Sequence, residues 1–131
     1  VACMSIRKPR QKTYKDATIE IARFSSALDT SVVGGFSKLL NAIIIWSKQN
    51  SCSNIISYAD LRFSDGNVYS RNGFTFIKDT GLNYWYTDCK QRFNRFKFRA
   101  QNGLTEQEIA QQNKVSKIYG CGNHLYKLEI I

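Results

Sequence analysis

The chain contains one proline, Pro9, one histidine, His124, and four cysteines spread far apart at positions 3, 52, 89 and 121. A lone proline in a polar basic stretch, with no repeat and no low-complexity tract, provides no linker that would divide the chain. Residues 1–131 are therefore expected to form a single domain, a length that suits one core. Without a Cys-x-x-Cys pair, and with only one histidine, the soft ligands that zinc requires are not clustered, so no metal is expected. The thiols are expected to be reduced and mostly buried, as in a cytosolic protein.

Long apolar runs are also missing. The densest, residues 39–46, is broken by Asn41 and followed by Ser47 and Lys48, far short of the ~20 apolar residues of a membrane-spanning helix. A soluble protein of the cytoplasm is the expectation. The first residues have no charged leader ahead of an apolar segment and do not open on methionine, so they are expected to begin inside a strand of a longer polypeptide rather than to be a signal peptide. Acidic residues are scarce: ten Asp and Glu face nineteen Lys and Arg, a net charge of +9. A field of that sign recruits phosphate polymers, which makes nucleic acid, DNA first, the expected partner.

The residues present are enough for a core, since 43% are hydrophobic and 13% aromatic. Residues 1–6 and 17–25 alternate as strands do, with Ile19 and Ile21 on one side and Glu20 and Ala22 on the other, and residues 7–16 form a long hairpin loop between them. From residue 34 to 49 the spacing of Phe36, Leu39, Leu40, Ile43 and Ser47 is helical, and Ile44, Ile45 and Trp46 make that helix apolar nearly all round, as if buried against a sheet. Residues 54–59 read as a buried strand, and 64–72 as a short helix ended by Gly73. A strand over 74–78 is expected to pair with a Tyr- and Trp-rich strand over 83–87 across the turn at 79–82. The basic segment 88–101 is expected to be helical. The capping-box spacing of residues 105–108 predicts a further helix to about Gln112, and 115–119 with 124–130 are expected to close the chain as a hairpin.

Two stretches together resemble the GNAT acyltransferases. In the first, Ile19-Glu20-Ile21-Ala22-Arg23-Phe24 leads through Ser31-Val32-Val33 to Gly34-Gly35-Phe36-Ser37; in the second, Asn67 and Tyr69 precede Gly73-Phe74. The resemblance implies a mixed α/β (α+β) fold with a mostly antiparallel central sheet and helices on both faces, lacking the N-terminal strand and helices of the superfamily. It implies acetyl-CoA as a possible ligand, its pyrophosphate held by Val33, Gly34, Gly35, Phe36 and Ser37 with Asn67 nearby. Tyr69 inherits the position of the acid that protonates the departing thiolate, and Glu20 the strand that often supplies a general base. A helix start with glycines is chemically suited to phosphate, because its first amides lack partners and glycine lets the anion approach. The pattern from Arg23-Phe24 through Gly66-Asn67-Val68-Tyr69 to Cys121-Gly122-Asn123 also resembles the domain that follows the nuclease domain in phage homing endonucleases of the very-short-patch-repair-like type.

Two basic clusters complete the candidate site list. Lys90, Arg92, Arg95, Lys97 and Arg99 interleave with Phe93, Phe96 and Phe98; on a helix, Arg92, Arg95 and Arg99 would form one row able to follow phosphates. Arg7, Lys8, Arg10, Lys12 and Lys15 load the first loop. The leading expectation is a nucleic-acid-binding GNAT-like domain of a phage or mobile-element protein, accessory to an upstream nuclease. The alternative is an active acyl-CoA-dependent N-acyltransferase acting on a nucleobase, protein or small amine.

Overall fold

The computed structural model describes residues 1–14 and 16–131, and Lys15 lies outside the described residues. The chain divides into two compact units, Val1–Thr80 with Asn123–Ile131, and Gly81–Gly122 between them in sequence.

The first unit is a five-stranded mixed sheet in the order β1-β2-β3-β8-β4. Its strands are β1 (Ala2–Arg7), β2 (Thr18–Ser26), β3 (Asn54–Asp60), β4 (Thr75–Asp79) and β8 (Asn123–Glu129). Only β2 and β3 run parallel; β1 with β2, β3 with β8 and β4 with β8 are antiparallel. The expected mixed, mostly antiparallel α+β architecture is the one observed. Helix α1 (Gly35–Gln49) joins β2 to β3, and α2 (Asn67–Arg71) joins β3 to β4. The core gathers Ile19, Ile21, Ile55, Ala59 and Tyr126 from the sheet with Phe36, Leu40 and Ile43 of α1, and Val68 and Tyr69 of α2 pack on the same cluster. Both helices therefore cover the same sheet face, as right-handed crossovers in one direction require.

Helix α1 buries one stripe, Phe36, Leu40, Ile43 and Ser47, while Ile45 is 60% and Trp46 43% exposed. The helix is amphipathic rather than buried all round, because a sheet covers only one side of it. The strand over 115–130 is also not a hairpin. β8 inserts between β3 and β4, and its seven-residue ladder on β3, Asn54↔Glu129 to Asp60↔Asn123, is a long-range pairing that local periodicity cannot show.

The second unit holds a three-stranded antiparallel sheet, β6-β5-β7, made of β5 (Tyr84–Thr87), β6 (Arg92–Phe93) and β7 (Ser116–Tyr119). β5 pairs with these two strands and not with β4 as expected. Helix α3 (Glu106–Gln112) begins in the expected capping box: Thr105 accepts from the Glu108 amide, and Glu108 accepts from the Thr105 amide at 2.8 Å. The expected basic helix over 88–101 is absent. Asp88 accepts from the amides of Lys90 and Gln91, Cys89 sits at φ 72°, and Asn94 caps a single 3-10 turn, Arg95–Phe98. These short polar side chains bond their own backbone and stop a helix before it propagates. Phe98 alone of the three phenylalanines is buried, against Tyr86, Ile109 and Ala110.

Candidate functional site

Parallel strands β2 and β3 pair only over Thr18–Ile21 and Asn54–Ser57, although β2 continues to Ser26 and β3 to Asp60. Beyond that point they part. The separation coincides with a bulge: β1 pairs Ile6 with Ile21 and Ser5 with Arg23, which leaves Ala22 as the extra residue. A bulge turns the following side chains by one position, and here it sends Phe24 to the core face instead of Arg23. Where the ladder ends, the Ile21 carbonyl accepts from the Ser57 hydroxyl at 3.2 Å.

The opening between the strands is a cavity of about 220 Å³ lined by Phe24, Phe36, Tyr58, Asp60, Phe63 and Tyr69 among others. Phe36 meets Phe24 and Tyr69 edge to face, with ring centroids 5.3 and 5.7 Å apart. A larger cavity of about 600 Å³ lies at the opposite end of α1, between Ile6, Lys8, Ile19, Trp46 and Cys52, and includes none of the expected site residues except Arg7 and Lys8.

The glycine segment stands at the start of α1. Gly34 is the N-cap at φ 70°, a left-handed conformation that an L side chain enters only at a cost, and no atom stands where its side chain would begin. Gly35 is needed for another reason: a Cβ there would lie 3.1 Å from Val32 Cγ1. The amide of Gly35 bonds the Val32 carbonyl and that of Lys38 the Gly34 carbonyl. Those of Gly34, Phe36 and Ser37 have no backbone acceptor among the described residues. Phe36 turns its ring into the core, 7% exposed, while Val33 is 94% exposed. The Ser37 hydroxyl donates to Asn72 Oδ1 at 2.7 Å, tying the first turn of α1 to the end of α2.

Tyr69 reaches the cleft from α2. Its hydroxyl lies 2.9 Å from Ser57 Oγ, and its ring stacks on Tyr126 at 5.2 Å. Burial raises its pKa above the ordinary 10, partly opposed by the Ser57 hydrogen bond, so it is a protonated donor at neutral pH. Ser57 has one proton for two oxygens. When it donates to Ile21, Tyr69 donates to Ser57; when it donates to Tyr69, the phenol proton is free for the cleft. Asn67 is exposed and donates to Asp65 Oδ2 at 2.6 Å, so its side chain is engaged locally.

Glu20, which the resemblance puts on the strand that often supplies a general base, is buried in an ion pair. It is 3% exposed, on the sheet face opposite α1, and it pairs with Arg7, whose Nε donates to Glu20 Oε1 at 3.0 Å. The structure does not bring it together with Tyr69. Its nearest link to the cleft is electrostatic. Tyr58, which lines the opening, has its hydroxyl pKa raised by burial first and then by the Glu20 charge. Tyr58, Ser57 and Phe24 belong to the site without having been singled out in the sequence. For Phe24 a signal existed, since Ile19, Ile21 and Phe24 break the period of two by one residue.

The basic clusters fall in both units. Arg7 ends β1 and is committed to Glu20, while Lys8, Arg10 and Lys12 are exposed, with Lys12 in a 3-10 turn. Arg92, Arg95 and Arg99 do not form a row. Arg92 lies over Trp85, Arg95 over Tyr84 beside Glu106, and Arg99 over Phe96. Lys97 lies over Phe93, and Lys90 is exposed in the turn that Asp88 closes. All four cysteines are free; Cys52 is half-buried and the other three exposed, not mostly buried as expected. Among the described residues no group of three His, Cys, Asp or Glu side chains is placed to hold a metal, and no helix is long and apolar enough to cross a membrane.

No protein-family model and no curated protein matches the chain. Among solved structures, it is similar to the IAA acetyltransferase from Bacillus cereus ATCC 14579, with a TM-score of 0.55 over 96% of this chain and 67% of that one. The fold is GNAT-like. At 16% identity the likeness speaks for architecture alone. Within a GNAT-like fold, the parted strands β2 and β3, the glycine-led α1 and Tyr69 lie around one opening.

Proposed function

We propose that the first unit is an acyl-CoA-dependent N-acyltransferase. The observation that carries this reading is the coincidence of three features at one place. The parallel strands part at a bulge, the helix that follows β2 opens with unpartnered amides, and the half-buried phenol of Tyr69 touches both β3 and the first turn of that helix. An acyl thioester contributes an electrophilic carbonyl and a good leaving group. The chain supplies what that chemistry needs. The amides of Gly34, Phe36 and Ser37 and the positive end of a 15-residue helix suit a pyrophosphate. Lys38, exposed in the first turn, adds a cation. Phe24 and Phe36 give the opening an apolar wall for the acyl group, and Tyr69 donates the proton that the departing sulfur takes up. Glu20, neutralised by Arg7 on the other sheet face, is not the base, so the acceptor arrives as the neutral amine; once its nitrogen has bonded to the acyl carbon it gives up one proton to solvent, and the Tyr69 phenolate takes one back from solvent.

Titration calorimetry with acetyl-CoA tests the reading. Micromolar binding is expected in the wild-type chain, with a loss of at least about tenfold in Gly34→Trp, whose indole would sit over the free amides. No heat at millimolar ligand, or equal binding by the variant, would overturn it. Nucleic-acid binding is a second reading, favoured by the cations stacked on rings in the second unit. It concerns different residues and is compatible with the first.

A further inference from the structure

Residues 81–122 carry seven cations, Lys90, Arg92, Arg95, Lys97, Arg99, Lys114 and Lys117, and three carboxylates. Each carboxylate is occupied. Asp88 accepts from two turn amides at 2.9 Å, and Glu108 closes the capping box of α3. Glu106 accepts from Tyr84 at 2.6 Å, Tyr86 at 3.0 Å and Arg95 at 3.3 Å. Six of the seven cations thus have no carboxylate partner among the described residues. What they have is aromatic rings. Arg92 lies 4.6 Å from the centroid of Trp85, Arg95 and Lys117 lie 4.4 and 4.5 Å from that of Tyr84, Lys97 lies 4.4 Å from Phe93 and Arg99 4.3 Å from Phe96. Five such contacts gather within residues 81–122, against one, Arg62 over Phe63, among the described residues within the first unit.

We propose that the second unit binds single-stranded nucleic acid on the face built around Tyr84. A guanidinium held over a ring still has N–H groups to offer a phosphate, and holding it there beforehand reduces the ordering cost of binding. Tyr119, 61% exposed, stands 5.9 Å from Tyr84 on the neighbouring strand, and Phe96, 59% exposed, lies within the 3-10 turn between Arg95 and Lys97. The cations are available to phosphates, and the exposed rings of Tyr119 and Phe96 to bases. A single strand offers both. A duplex keeps its base faces stacked inside, and an acidic protein segment has no succession of planar groups to lay on the rings. The inference does not rest on the acyl-transfer reading, since no residue of the parted-strand cleft takes part.

Fluorescence anisotropy of the full chain with a labelled single strand of roughly 20 nucleotides, over a salt series, tests it against the matching duplex and polyglutamate. The single strand is expected to bind tightest. Lys117→Gln should reduce the slope of log affinity against log salt by about 0.7, the value for one lost phosphate contact on a single strand. Tyr119→Ala should weaken binding about tenfold with the slope unchanged, while Tyr119→Phe keeps the ring and the affinity. Lys48→Gln, on α1 of the first unit, should change neither. Thermal melts that match the wild type exclude unfolding, and Phe96→Ala serves if Tyr119→Ala melts early. The proposal is overturned if no binding is seen, if the duplex or polyglutamate binds as tightly as the single strand, or if the aromatic variants that fold bind as well as the wild type.

Discussion

Replacing Tyr69 by phenylalanine removes one oxygen and leaves the ring in place between Phe36, Phe74 and Tyr126, whose centroids lie 5.7, 5.4 and 5.2 Å away. Ser57 is not orphaned by the change, because its proton still reaches the Ile21 carbonyl at 3.2 Å. The stability lost is therefore that of one neutral hydrogen bond, about 1 kcal/mol, which lowers Tm by roughly 4–8 °C in a unit of this size. The chemical cost is larger. A positioned proton donor contributes about 10²–10⁴ in rate, or roughly 3–5 kcal/mol of barrier. Release of free thiol from acetyl-CoA in the presence of a primary-amine panel reads the rate directly. Tyr69→Phe should reduce kcat by at least about a hundredfold and leave KM for the acyl donor within a few-fold, since the amides of α1 are untouched. A variant that melts a few degrees early but transfers at the wild-type rate would reduce Tyr69 to a packing residue.

Three further outcomes follow from the same geometry. Gly66→Ala forces a side chain to φ 84° and places Cβ 2.3 Å from the Tyr126 hydroxyl, so thermal melts should show a loss of about 3 kcal/mol or more; a loss under about 1 kcal/mol would contradict the packing. Arg7→Ala strands the buried Glu20 carboxylate and should cost about 2–3 kcal/mol, most of it recovered in the Arg7→Ala/Glu20→Gln double variant; a double variant no more stable than Arg7→Ala would contradict the pairing. Donation from Tyr84 first, then from Tyr86, holds the Glu106 pKa below the ordinary 4.5, while burial and Glu106 push Tyr86 up to about 12. A lowered carboxylate stabilises the fold above its unfolded pKa and loses that contribution as pH falls; a raised tyrosine stabilises it below pH 10 and loses that contribution as pH climbs towards 12. Melts should therefore fall on both sides, and the late-ionising part of the tyrosinate absorbance, to which Tyr84 and Tyr86 contribute, should shift to lower pH in Glu106→Gln; identical alkaline titrations would refute the coupling.

Much of the first unit was legible because its signals are local. Ile19 and Ile21 alternate, Phe36, Leu40 and Ile43 recur at helical spacing, and Gly34 stands where α1 starts, so β2, α1 and β3 fall within a residue or two of their expected positions. Thr105 and Glu108 announced α3 for the same reason. What escaped is long-range or turns on competing short polar groups. The pairing of β8 with β3 joins residues some seventy positions apart, and nothing in residues 115–130 distinguishes it from a hairpin. In the 88–101 segment, Asp88 and Asn94 capture backbone amides, and the rings of Trp85 and Tyr84 hold arginines that a helix would have aligned. The cleft was half visible: the glycines and Tyr69 stood out, whereas Ser57 and the bulge at Ala22 matter only because two strands part there.

The central claim is that the amides at the start of α1 are the ones an acyl-CoA meets. Backbone amide NMR of the full chain during titration with acetyl-CoA reads those groups individually. Gly34, Phe36 and Ser37 are expected to shift most and saturate together, with Tyr69 and Phe24 following at the cleft. Unmoved amides at Gly34, Phe36 and Ser37, with shifts elsewhere or none at millimolar ligand, would contradict it.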